Sequence, residues 1–138
     1  MDNTLTLIAR IHDKGNDIIV QELKSRGHVG LAPSHGDILA VLLFSGEMTK
    51  TEIAKKVNRE RSTVTTLLKK LEYLGYTKSR VNEADARSTI VSLTEKGKLM
   101  KEDFTEISKR IYAVQFNNFS QSELKQFREN LKKCIIIL

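Results

Sequence analysis

The chain has 138 residues, enough for one substantial hydrophobic core, and its composition, 40% hydrophobic and 29% charged with a single proline, is that of a globular rather than a disordered protein. The longest apolar run, Ile38 to Phe44, is too short to cross a bilayer, and the lone Cys134 excludes an intramolecular disulfide framework or a cysteine-rich zinc site. The net charge of +6 sits in one segment: between Gly46 and Lys101 thirteen basic residues meet seven acidic ones, while the flanks balance. A basic module in a neutral frame calls for a polyanionic partner. Met1 to Thr4 carry no basic stretch leading into an apolar one, so a reducing, cytoplasmic setting without a membrane role is expected.

In chain order, apolar residues recur at helical spacing from Thr4 to Lys24 (Leu5, Ile8, Ile11, Ile18, Ile19, Leu23), with Gly15 and Asn16 weakening the middle. A loop follows over Ser25–Pro33. Ser34, with Asp37 three residues on, is the expected N-cap of a short, buried helix that stops at Ser45-Gly46. Thr49 and Glu52 form a capping box opening a helix over Lys50–Val57. After a turn at Asn58, another helix is expected from about Arg59 to Leu74, closed by Gly75. The period then changes to that of two strands, Tyr76–Val81 and Ser88–Leu93, joined by a polar tip over residues 82–87, with Val91 and Leu93 facing the core. Thr94 is expected to cap one helix from Glu95 to about Val114, and Ser120 with Glu123 a last helix running through Leu124, Phe127, Leu131, Ile135 and Leu138.

Two short helices crossing at a tight turn need a small residue at the crossing, a turn residue that tolerates positive φ and a branched apolar wedge. Ala54, Asn58 and Val64 fill these roles. The second helix carries Val64, Leu67, Leu68, Leu71 and Leu74 on its inner face. Arg61, Ser62, Thr63, Thr65 and Thr66 crowd its outer N-terminal part. Serine and threonine are poor interior helix formers, and a helix lying in a DNA major groove uses such donors for phosphates and base edges. At the hairpin tip, Asp85 and Arg87 fall on one side of an extended chain. An arginine there suits a narrow minor groove, with the carboxylate holding the guanidinium by a bidentate bond.

The segment from about Gly30 to Lys98 resembles the MarR family of bacterial transcriptional regulators. The matching stretches are residues 31–38 (LAPSHGDI), 51–57 (TEIAKKV), 61–76 (RSTVTTLLKKLEYLGY) and, most specifically, 85–88 (DARS) followed by 91–97 (VSLTEKG). The resemblance implies a mainly α fold with a small β-hairpin wing, a winged helix-turn-helix dimerised through N- and C-terminal helices. It implies a homodimer on a palindromic operator in double-stranded DNA, a transcriptional repressor rather than an enzyme, with Ser62, Thr63, Thr65 and Thr66 toward the major groove and Arg87 toward the minor groove. The whole expected contact set is Ser34, Thr49, Arg59, Arg61, Ser62, Thr63, Thr65, Thr66, Lys69, Lys70, Arg80, Asp85 and Arg87. The parts are an N-terminal dimerisation helix (1–30), the winged module (31–98) and C-terminal dimerisation helices (99–138). A small-molecule effector pocket is expected near His12, His35 and the facing side of the fifth helix. No cofactor and no metal are expected. At the tip this sequence departs from a purely basic wing, since Glu83 joins Asp85.

The terminal run Ile135 to Leu138 cannot all point at one small core. With the stripes of the first and fifth helices it suggests a two-fold interface built from both ends of the chain. Three other readings stand beside this one. A winged-helix module for protein assembly would carry apolar or acidic residues on the outer face of Arg61–Lys70, which is hydroxylic and basic. A small enzyme would need a phosphate loop, nucleophile elbow or catalytic pairing, and none stands out. An oxidant sensor would use Cys134, beside Lys132 and Lys133, though the aliphatics from Ile135 onward predict its burial.

Overall fold

The computed structural model describes residues 2–136; Ile137 and Leu138, half of the expected terminal aliphatic run, lie outside them. The order is α1 (Thr4–Ser25), α2 (Pro33–Ser45), β1 (Met48–Thr49), α3 (Lys50–Val57), α4 (Arg61–Tyr73), β2 (Thr77–Val81), β3 (Thr89–Leu93), α5 (Glu95–Lys98), α6 (Met100–Ile111), a π-helical turn (Tyr112–Phe116) and α7 (Gln121–Ile135). Helices dominate, and the three strands form one antiparallel sheet in the order β1-β3-β2. This is the mainly α, winged arrangement that the sequence predicts.

The middle of the chain holds the core. Ile38, Leu39, Ile53, Val64, Leu71, Val91 and Met100 are fully buried and join α2, α3, α4, the sheet and α6; Leu23, near the end of α1, closes the same cluster. Val91 and Leu93 face inward from β3 as expected. The termini differ. Leu23 is the only buried residue of α1 and Leu124 the only one of α7.

Several local expectations need correcting. The N-cap of α2 is Ala32, not Ser34. Pro33 takes the first helical position, where its fixed φ and missing N–H cost nothing, and the ring Nδ1 of His35 accepts the Ala32 N–H at 2.9 Å. Ser34 is thus a half-buried residue of the first turn. β1 was not foreseen, because two residues carry no alternation; its register with β3 is Met48 opposite Val91 and Thr49 opposite Ile90. The helix expected over Glu95–Val114 divides at Leu99 and widens into the π turn.

Two glycines explain close packing. A Cβ on Gly97 would stand 2.2 Å from the carbonyl oxygen of Tyr76, so only glycine lets α5 lie against the base of the hairpin. Gly15 makes room in α1 for Gln115, whose amide nitrogen donates to the Ile11 carbonyl at 2.8 Å. At the base of the hairpin His28 bridges Tyr76 (2.8 Å) and Asp103 (2.6 Å), and Arg26 reaches the same carboxylate at 3.3 Å. Burial, and then the Asp103 charge, push the Tyr76 phenol above its ordinary pKa.

Candidate nucleic-acid interface

The helix-turn-helix forms as its residues require. The Thr49 hydroxyl accepts the Glu52 N–H at 3.2 Å while the Glu52 carboxylate accepts the Thr49 N–H at 3.3 Å, which fixes the start of α3. Asn58 ends it in the left-handed conformation, φ 53° and ψ 51°, and Arg59 N–H returns to the Ala54 carbonyl at 3.0 Å. Ala54 and Val64 are buried at the crossing. Because Asn58 and Arg59 belong to the turn, α4 begins at Arg61, two residues later than expected, with Glu60 before it. Gly75 closes α4 at φ 86°, and Tyr76 N–H bonds the Leu71 carbonyl at 2.9 Å.

On α4 the two faces separate cleanly. Val64, Leu68 and Leu71 are buried, Leu67 is half-buried, and Arg61, Ser62, Thr63, Thr66, Lys69 and Lys70 are exposed; Thr65 is half-exposed at the edge. The Thr66 hydroxyl donates to the Ser62 carbonyl at 3.2 Å, which leaves its lone pairs as an acceptor facing solvent.

The wing extends from this base. Thr77 pairs with Leu93 at its foot and Val81 with Thr89 near its tip. The tip is organised by its own polar groups: the Asn82 side chain holds Ser88 Oγ at 2.9 Å and accepts the Ala84 N–H at 3.1 Å. The Arg87 side chain is 93% exposed. Its Nε donates to Asp85 Oδ1 at 3.2 Å, and its backbone N–H donates to the same oxygen at 3.1 Å. The expected bidentate bond is therefore a single side-chain contact, because Nε and the backbone N–H share Oδ1 and no second guanidinium nitrogen bonds the carboxylate.

A winged helix DNA-binding domain profile matches residues 32–97. Among solved structures, the Staphylococcus aureus MepR–DNA complex superposes with a TM-score of 0.85 at 25% identity, over 98% of each chain. A cysteine-to-serine variant of Escherichia coli MarR complexed with operator DNA gives 0.85 at 18% identity, over 95% of this chain and 92% of that one, a likeness of fold. The chain carries a winged helix DNA-binding domain and shares its fold with MepR and MarR. The uncharacterized HTH-type transcriptional regulator YdgJ of Bacillus subtilis is 30% identical over 101 residues, 73% of this chain, and the match spans 62% of YdgJ.

Within this winged helix frame the expected contact residues divide by what already holds them. Arg61, Ser62, Thr63, Thr66, Lys69 and Arg87 are exposed. Thr49 is committed to its cap. Arg59 pairs with Asp37 at 3.3 Å, and Arg80 makes a two-pronged pair with Glu47 at 2.7 Å on both arms. The Arg80 pair holds the Glu47 carboxyl below the usual carboxylate range. Lys70 leans over Gly30 and toward His35. The sequence offers Asp37 only as a capping partner of Ser34 and does not single out Glu47, since their arginine partners lie 22 and 33 positions away and no local spacing marks either pair.

The two histidines do not share a cavity. His12 is exposed beside Asp13, and His35 is buried with its ring spent on the cap of α2. A cavity of about 490 Å³ opens instead between α1, α2 and α6, walled by Ile19, Ala40, Phe44, Phe104 and Ile111, with Asp37 and Lys109 as its charged groups. Cys134 is also displaced from expectation: it is exposed, because α7 buries only Leu124 and its last turns leave the core. Among the described residues no helix is long and apolar enough to cross a membrane, and no group of three or more His, Cys, Asp or Glu is placed to hold a metal ion.

Proposed function

We propose that this protein is a sequence-specific DNA-binding transcriptional regulator, a homodimer that represses from a palindromic operator. The observation that carries the reading is the exposed row Arg61, Ser62, Thr63 and Thr66 on α4 together with the projecting Arg87 of the wing. The α4 row enters a major groove, where Thr66 accepts from an exocyclic amine and Arg61 meets phosphate or guanine; Arg87 enters the adjacent minor groove. Lys69 and Lys70 meet phosphates. Selection of bound duplexes from a random library tests this: an inverted repeat should be enriched, and a pool with no enriched sequence would refute it.

The dimer reading rests on apolar surface that one chain leaves uncovered. Leu5, Leu7, Ile8, Ile11 and Val20 on α1, Val114, and Ile135 and Ile136 at the end of α7 are all exposed. A groove of about 390 Å³ runs between α1 and α7 past Leu7, Ile11, Phe116, Phe119 and Phe127. Residues 1–30 and 99–138 thus form the dimer layer and 31–98 the DNA module, working in the cytoplasm without catalysis. The cavity between α1, α2 and α6 is the effector site. Its apolar walls and two opposite charges suit a small amphipathic organic molecule.

A further inference from the structure

The base of the wing carries a second cationic surface that DNA reading by α4 and Arg87 does not use. Lys78 and Arg80, two apart on β2, share one face, opposite Ser92 and Ile90 of β3. Lys98 and Lys101, from α5 and α6, close the other side, and together the four line a cleft of about 520 Å³. Glu47 is the only acid lining it. Leu43 and Leu93 contribute an apolar floor. Lys78 lies six residues before Ala84 at the tip, so the cleft stands ~15–20 Å from the groove-reading end of the hairpin at strand rise.

We infer that this cleft docks an acidic, extended segment of a partner protein, with carboxylates over the lysines and an apolar side chain on the leucine floor. Three features favour a peptide over a second DNA segment. The surface is concave, its floor is apolar, and it sits at the foot of the wing near the end of α2, whereas duplex phosphates offer a convex ridge with nothing to bury. Charge complementarity sets the class of partner. Glu47 acts as an internal competitor: its two-pronged hold on Arg80 occupies the guanidinium that an incoming carboxylate would take. The site is independent of operator recognition and allows DNA and the partner to be held at once.

The test uses the full chain and a fluorescein-labelled peptide of repeating Asp-Glu-Leu, read by fluorescence anisotropy. Lys78→Glu with Lys101→Glu should weaken peptide binding about tenfold, the scale of two exposed ion pairs. Lys24→Glu with Lys125→Glu, the same charge change elsewhere, should leave it within about twofold. Glu47→Ala should tighten it by freeing Arg80 and removing the carboxylate that lines the cleft. Selected operator duplex should keep its advantage over scrambled duplex in the Lys78/Lys101 variant, and loss of that advantage in the parent itself would count against the DNA reading alone. Absence of peptide binding at low salt, equal loss in both double variants, or tighter capture of a single-stranded oligonucleotide with the same variant sensitivity would each overturn the proposal.

Discussion

Asp85 and Arg87 are joined twice through one atom: Oδ1 of the carboxylate takes both the backbone N–H and the Nε–H of the arginine, at 3.1 and 3.2 Å. The guanidinium is thereby aimed outward from the tip while its two terminal nitrogens stay unspent. A pre-aimed, exposed cation gives up less side-chain freedom on entering a groove than a free one does. Exposed ion pairs add little to stability, so the contact has its value in geometry.

Arg87→Ala should therefore weaken operator binding by roughly 1–3 kcal/mol, with no change in thermal stability. Asp85→Ala should weaken it by less, since the charge remains and only its aim is lost. Titration of the selected duplex checks both, and unchanged affinity for Arg87→Ala would remove the wing from recognition.

The dimer layer is tested by breaking its apolar stripe. Leu7→Glu with Ile11→Glu places two carboxylates on an exposed face of α1, away from the chain's own core. Sedimentation should find the parent dimeric and the variant monomeric at micromolar concentration, with operator affinity lost along with the two-fold arrangement. A monomeric parent would contradict the interface.

Much of the architecture is legible locally. The Thr49–Glu52 and Ser120–Glu123 boxes, the left-handed Asn58 and Gly75, and the alternation around Val91 and Leu93 act over a few residues, and each reappears in place. What sequence reasoning missed depends on distant partners or on competing local signals. Ser34 looked like a cap, but the adjacent Pro33 set the helix start. Arg59 and Arg80 looked free, but Asp37 and Glu47 reach them across the fold. The aliphatic neighbours of Cys134 predict its burial, yet Ile135 and Ile136 are themselves exposed.

Gly97 is a strict requirement of the close contact between the base of the wing and α5. Gly97→Ala forces a methyl against the Tyr76 carbonyl, and overpacking of this kind costs about 1–3 kcal/mol. Denaturant unfolding should place the variant at or beyond the upper end of that range, because backbone cannot yield as a flexible side chain does. An unchanged midpoint would mean that the α5–wing contact is loose.

Stability should also fall in mild acid. Burial, and secondarily the Lys70 charge, depress the pKa of His35, whose neutral ring accepts the Ala32 N–H. The unfolded chain takes up this proton at about pH 6.5 and the folded chain only below that, so the stabilisation is full above about 6.5 and is lost as pH falls toward the folded value. Melting temperature should drop between about pH 7.5 and pH 5.5, and His35→Gln, which keeps an acceptor without titrating, should flatten that slope. Parallel curves for both proteins would assign the acid sensitivity elsewhere.

The central claim is that α4 and the wing read one duplex together, and its most direct measurement is a titration of selected and scrambled duplexes across a range of salt. The account predicts that both affinities fall steeply with salt as phosphate contacts release counterions, while the selected duplex keeps an advantage of roughly a thousandfold or more. Equal affinity for the two sequences, or binding that ignores salt, would contradict it.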